Sequence, residues 1–130
     1  MSLPTRSATE TEPGTSLVEA IVVGDPDHAR RLFSDPVDFK AVTPARAWEA
    51  TTPDEVVGIV LGRWFGPDRG RRSLAGLAED VVADRHRLSY RLDVHGPDGH
   101  QVVEQTAYFS AVDGLICWMR VACSGFRPVS

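Results

Sequence analysis

His86, Tyr90 and Gln105 are the residues whose types and placement could do acid–base chemistry. His86 and Tyr90 fall on one side of an alternating run that also carries Leu88 and Leu92. An imidazole titrates near neutrality and a phenol donates a hydrogen bond, so beside Gln105 they could serve as general base and oxyanion donor. The competing reading is a core tyrosine and a satisfied histidine at a strand end, which is the commoner fate of such residues. Cys123 could be a pocket thiol, but no histidine lies near it in sequence to activate it, and a small buried hydrophobe is the simpler reading. His95 and His100 flank Gly96-Pro97-Asp98-Gly99 and could meet across strand ends, with Asp93 or Asp98 beside them. Two imidazoles are too few for zinc, which takes three or four ligands, so no metal is expected. Arg69-Gly70-Arg71-Arg72 could take a phosphate or an acidic partner, yet in a chain of net charge −4 it reads as a solvated turn. Phosphate-loop, dinucleotide and nucleophile-elbow motifs are missing, and no cofactor is expected.

These residues need a frame, and the C-terminal third supplies it. Arg85 to His95, His100 to Ser110 and Leu115 to Cys123 read as three consecutive strands, linked by Gly96-Pro97-Asp98-Gly99 and Ala111-Val112-Asp113-Gly114. In the first strand His86, Leu88, Tyr90, Leu92 and Val94 point one way, and Arg85, Arg87, Ser89, Arg91 and Asp93 the other. A poorer strand, roughly Ser73 to Val82, precedes them. A meander with one dry face needs helices to cover it, and the first half provides them. Ser16-Leu17-Val18-Glu19 has the form of a capping box, opening a short apolar helix that stops at Gly24. Asp25-Pro26 restarts a helix with Ala29, Leu32 and Phe33 as its inner stripe. Val37 to Val42 alternates as a first strand, and Thr43 to Ala50 reads as a loop carrying Trp48, a lid over a pocket or a plug at the end of the core. Thr52-Pro53-Asp54-Glu55 is a strong helix start, followed by Val57, Val60, Leu61 and Trp64 on one face. Gly58 and Gly62, four apart, suggest close packing of this helix on the sheet.

The chain has 130 residues, enough for one domain, with 42% hydrophobic and 25% charged residues, the balance of a water-soluble globular protein. The acidic balance speaks against nucleic acid, which needs a concentrated basic surface. No apolar run is long enough to span a bilayer, so no membrane role is expected. Residues 1–14 are polar and read as a flexible leader without a secretory core; residues 15–130 form the domain, and a cytoplasmic location is expected. Cys117 and Cys123 on one strand would stand roughly 20 Å apart at about 3.3 Å per residue, too far for a disulfide.

The order helix, helix, strand, helix, then a four-stranded meander resembles the nuclear-transport-factor-2-like superfamily, with SnoaL-like and ketosteroid-isomerase-like members closest in appearance. The resemblance rests on Ala20 to Phe33, Thr52 to Phe65, Thr106-Ala107-Tyr108-Phe109 and Asp113 to Arg120. It implies an α+β cone, a curved antiparallel or mixed sheet against about three helices, with a ligand pocket between them and often a dimer through the sheet. The isomerases of that superfamily use a tyrosine, a carboxylate base and a protonated carboxylic acid. By spacing from Gly24-Asp25, those positions fall on Leu17, on Ala41 or Thr43, and near Gln105, so a 3-oxo-steroid isomerase of that type is not expected.

In the register the resemblance implies, Gln105, Ala107, Cys117, Met119, Val121 and Cys123 face the pocket, while Tyr108 and Trp118 lie on the back of the sheet. A slip of one residue would exchange the two sets. The sequence therefore leads to a protein that holds a small apolar organic ligand, lined by Trp48, Trp64, Met119, Val121 and Cys123. A cyclase, isomerase or dehydratase would use His86, Tyr90 and Gln105. The alternative is a non-catalytic homodimeric module, for ligand sensing or protein interaction, paired through Tyr108 and Trp118.

Overall fold

The computed structural model describes residues 3–129, with side chains from Pro13 onward; Met1 and Ser2 of the expected leader, and Ser130, lie outside the described residues. Helix α1 spans Leu3–Val23, so residues 3–14 form its first half, and Ser16 and Glu19 sit inside the helix rather than capping its start. Leu17, Val18, Ala20 and Ile21 are its buried stripe. The helix ends at Gly24, whose N–H donates to the Ala20 carbonyl at 2.7 Å with φ of +81°, the left-handed turn that glycine makes without steric cost. Helix α2, Pro26–Arg30, follows at once, with the Asp25 carboxylate accepting the His28 N–H at 3.1 Å.

Strand β1 is longer than the alternation of Val37 to Val42 alone suggests. It spans Phe33–Thr43, and its register against its neighbour shifts between Phe33 and Asp38. Phe33 therefore opens a strand instead of closing the stripe of α2. Trp48 is not in a loop: Arg46–Ala50 is strand β2, paired with β1 so that Trp48 stands opposite Ala41. Only Trp48 and Ala50 carry the alternation of β2, too little for periodicity to register.

Helix α3, Pro53–Val57, begins with the expected capping box: Thr52 accepts from the Glu55 N–H, and Glu55 reaches back to the Thr52 N–H. It then opens into a π-helical segment, Gly58–Trp64, which buries Val60, Leu61 and Trp64. Gly58 and Gly62 do not pack on the sheet. Both are exposed, and a Cβ on either would meet nothing within 4 Å. Each costs the helix about 1 kcal/mol relative to alanine without any return in packing.

Strands β3 (Arg71–Val82), β4 (Arg85–Gly96), β5 (Gly99–Val112), β6 (Leu115–Cys123) and the short β7 (Arg127–Pro128) complete the sheet. Among the described residues seven strands join in the order β2-β1-β6-β5-β4-β3, with β7 on β5. The sheet is curved and mixed, since β1 runs parallel to β6 and the other pairings are antiparallel. Its concave face carries the core, including Leu88, Leu92, Phe109, Ile116 and Met119, under the buried sides of the helices. The convex face carries cross-strand polar bonds: Arg87 to Asp80, Arg91 to Glu104, Arg120 to Asp38, and Ser89 with Thr106. Exposed pairs of this kind contribute little stability, so the apolar concave side determines the register.

One expected facing changes. A register shift between Ser110 and Ala111 places both Cys117 and Trp118 between the inward Ile116 and Met119. Cys117 is thereby taken out of the inner row, and its thiol lies 3.5 Å from the Ser110 carbonyl. A bulge of this kind adds one residue and breaks the alternation.

Candidate functional site

A polar row crosses the otherwise apolar interior. The Gly96-to-Gly99 turn sets β4 against β5 so that Tyr90 stands opposite Gln105, and β5 against β6 so that Gln105 stands opposite Cys123. Gln105 is 1% exposed and Tyr90 5%. The Tyr90 hydroxyl donates to Gln105 Oε1. That bond orients the amide and leaves Gln105 Nε2 buried without a partner. If the amide is reversed, one Nε2 N–H donates to the phenol oxygen, and the second N–H and the Tyr90 O–H are left over, so either arrangement leaves buried donors unused. Burial pushes the Tyr90 phenol above its ordinary 10, and the neighbouring Cys123 adds to the rise. It stays protonated and acts as a donor, not as a base. Cys123 Sγ accepts the Gly125 N–H at 3.4 Å.

His86 does not join this pair. Four residues along β4, it faces Phe109 across the strand pair and stacks on that ring at 4.8 Å. Leu88 stands between it and Tyr90 on the same face. Near it lies Glu79, which accepts from the Thr15 hydroxyl at 3.3 Å and whose carboxyl burial holds above its ordinary 4.5. The three candidate residues therefore divide into a Tyr90–Gln105 pair and a separate histidine.

The expected pocket lining is largely core. Trp64 is buried with its indole N–H unpartnered, 6.3 Å from the Phe39 ring and edge-on to Trp48 at 6.0 Å. Met119 is 1% exposed and Val121 7%; Cys123 is half-buried. Trp48 plugs the end of this core: its N–H donates to Thr43 Oγ1 at 3.0 Å, with the Arg46 guanidinium 4.0 Å above its ring and that of Arg63 at 5.4 Å. Leu17 and Ala41, where the resemblance places the isomerase tyrosine and base, are both buried apolar positions. On the convex face, Trp118 lies under the guanidinium of Arg85 at 3.6 Å and that of Arg120 at 4.4 Å.

His95 and His100 do meet, stacked at 4.2 Å, and His100 Nε2 bonds Asp93 Oδ1 at 2.9 Å. Among the described residues no three histidine, cysteine or acidic side chains gather as a metal-binding group. No helix among them is long and apolar enough to cross a membrane.

Sequence reasoning named Tyr90 and Gln105 but missed their unused donor and that of Trp64. Those follow from which partners are absent in three dimensions, and no local pattern encodes them.

No family model matches the chain, and no curated protein matches it. Solved structures do. A nuclear-transport-factor-2-like protein of unknown function from Mesorhizobium loti is 19% identical, over 92% of this chain and 94% of that one, with a TM-score of 0.68. A putative polyketide cyclase from Xanthomonas campestris is 17% identical over 88% and 90%, with a TM-score of 0.67. An LEH-like epoxide hydrolase from M. tuberculosis is 11% identical over 90% and 84%, with a TM-score of 0.66. Identities this low speak for architecture and leave the reaction open. In fold, the chain is an α+β cone of the nuclear-transport-factor-2-like type.

Proposed function

We propose that the cone interior binds a small, largely apolar organic molecule through one oxygen acceptor, with the Tyr90–Gln105 pair as its polar anchor. The observation that carries this reading is the buried Gln105 amide with a donor left over. A buried polar group without a partner costs about 1–3 kcal/mol, which a carbonyl or ether oxygen on a ligand would recover. Apolar walls with one placed donor are the usual make-up of a small-molecule site. Side chains fill much of the interior, so a ligand has to displace some of them, and this favours a compact molecule.

The chemistry on offer is carbonyl polarisation. The protonated Tyr90 orients the amide, and the amide stabilises negative charge growing on a bound oxygen. Cyclases, isomerases and dehydratases use such stabilisation. Among the described residues no carboxylate or imidazole hydrogen-bonds to the pair, so the geometry supports binding more directly than turnover. Native mass spectrometry after incubation with cell extract tests the reading. The wild-type chain should carry a stoichiometric organic molecule that Gln105→Leu does not retain; a wild-type chain that stays empty would remove the reading.

A second reading, pairing of two copies through the convex face, has its own support. Val42 is 61% exposed there, beside Tyr108 and Ala122, at an apolar hollow of about 210 Å³. Sedimentation should then show a dimer that Tyr108→Glu dissociates; a monomeric wild type at micromolar concentration would exclude it.

A further inference from the structure

A second hollow lies outside the cone, between the end of α1 and the third helix. It encloses about 500 Å³ between Val23 and Pro26 on one side and Val57, Leu61 and Phe65 on the other. Gly58, Gly62 and Arg72 also line it. The two glycines serve no packing within the chain, since a Cβ on either would meet nothing within 4 Å. What they leave is room in the hollow. They also lie in the segment where the helix widens to π geometry, Gly58–Trp64, and π segments within helices are frequently found at functional sites.

Arg72 is held in place. Its Nε donates to the Ile21 carbonyl at 2.7 Å and its Nη1 to the Gly70 carbonyl at 3.2 Å. Its charge centre lies 5.8 Å from the Phe65 ring. The Nη2 edge turns toward Gly24, where a Cβ would come within 2.9 Å of it. Among the described residues no carboxylate forms an ion pair with Arg72. Burial lowers its proton affinity, the direction expected of a cation lacking a counter-charge. The Ile21 bond by itself makes Arg72 a cap for the end of α1. Capping uses Nε, however, and among the described residues the Nη2 N–H groups have no hydrogen-bond acceptor.

We infer that this hollow binds a small carboxylic acid with an apolar body. The carboxylate pairs with the free edge of Arg72, and the body lies over Gly58 and Gly62 between Val23 and Leu61. A planar guanidinium with fixed orientation matches a carboxylate in shape and charge. The volume falls in the range of small-molecule sites. This site is distinct from the Tyr90–Gln105 pair: Arg72 faces Val94, four residues along β4 from Tyr90, roughly 13 Å at about 3.3 Å per residue.

Titration with sodium octanoate, followed by calorimetry at low salt with 1-octanol as the uncharged control, tests the inference. Octanoate should bind saturably and at least about tenfold more tightly than octanol. Gly62→Leu and Gly58→Leu should each fill the hollow and weaken octanoate about tenfold or more without lowering the melting temperature. Arg72→Met should abolish the preference for acid over alcohol; because it also uncaps α1, the glycine variants decide the matter if it unfolds. The inference is overturned if octanoate does not saturate at millimolar concentration, or if Gly62→Leu and Gly58→Leu bind it as the wild type does. Loss of octanoate binding in Gln105→Leu instead would place the acid inside the cone and also overturn it.

Discussion

Replacing Tyr90 by phenylalanine removes one oxygen from the cone and leaves the ring that packs there. The loss falls on Gln105: its Oε1, which accepts from Tyr90, becomes unpaired beside an Nε2 that already has no partner. An unpaired buried amide group costs about 1–3 kcal/mol, so Tyr90→Phe should destabilise by about 2 kcal/mol. Gln105→Leu behaves differently. It strands the Tyr90 hydroxyl but also eliminates the unpaired Nε2, two terms of about 1–3 kcal/mol and opposite sign, and the net change should lie near zero. The double variant removes every polar group of the pair at nearly constant volume. Replacing both partners by apolar groups is close to neutral, so it should be more stable than Tyr90→Phe alone by about 2 kcal/mol. Urea unfolding at 25 °C, followed by tryptophan fluorescence, reads this directly. With a slope of about 2 kcal/mol per molar urea, 2 kcal/mol moves the midpoint by about 1 M. Additive losses in the double variant would refute the reasoning, because they would mean that the amide donor is already satisfied in the folded protein.

Three further outcomes follow from the same structure. Thr52→Ala removes the hydroxyl that caps α3 and should cost about 1 kcal/mol in the same unfolding assay, with Thr52→Ser restoring most of it. Gly24→Ala places a Cβ in the left-handed region, at φ of +81°, and within 2.9 Å of Arg72 Nη2; it should cost about 1–2 kcal/mol or more and lower the melting temperature. Burial raises the Glu79 carboxyl above its ordinary 4.5, so the folded state holds that proton more tightly than the unfolded chain. Its stabilising contribution is fully present below pH 4.5 and is lost as pH rises through the folded value, and Glu79→Gln should flatten this decline in melting temperature above pH 4.5.

Several elements are legible in the chain because each rests on a short-range rule. Alternation from His86 to Val94 defines the inner and outer faces of β4, and the Gly96-to-Gly99 turn fixes its register on β5, so local rules alone put Tyr90 and Gln105 on one face. The Thr52-to-Glu55 cap needs only four residues and is present as read. Strand β2 escapes such rules because pairing with β1 supplies its hydrogen bonds and its own residues carry little apolar signal.

What the sequence by itself determined is the cone: strand faces follow from a period of two, turns from glycine and proline, and helix starts from caps, each a local steric or hydrogen-bonding preference. Tertiary structure decided which polar groups meet and which are left without partners. The bulge opposite Ser110 and Ala111 removed Cys117 from the inner row. Leu88 stands between His86 and Tyr90, and folding brought Arg72 to the Ile21 carbonyl fifty-one residues away in sequence. A one-residue bulge or a long-range contact leaves no periodic trace, because its energy comes from packing between segments and not from either segment alone.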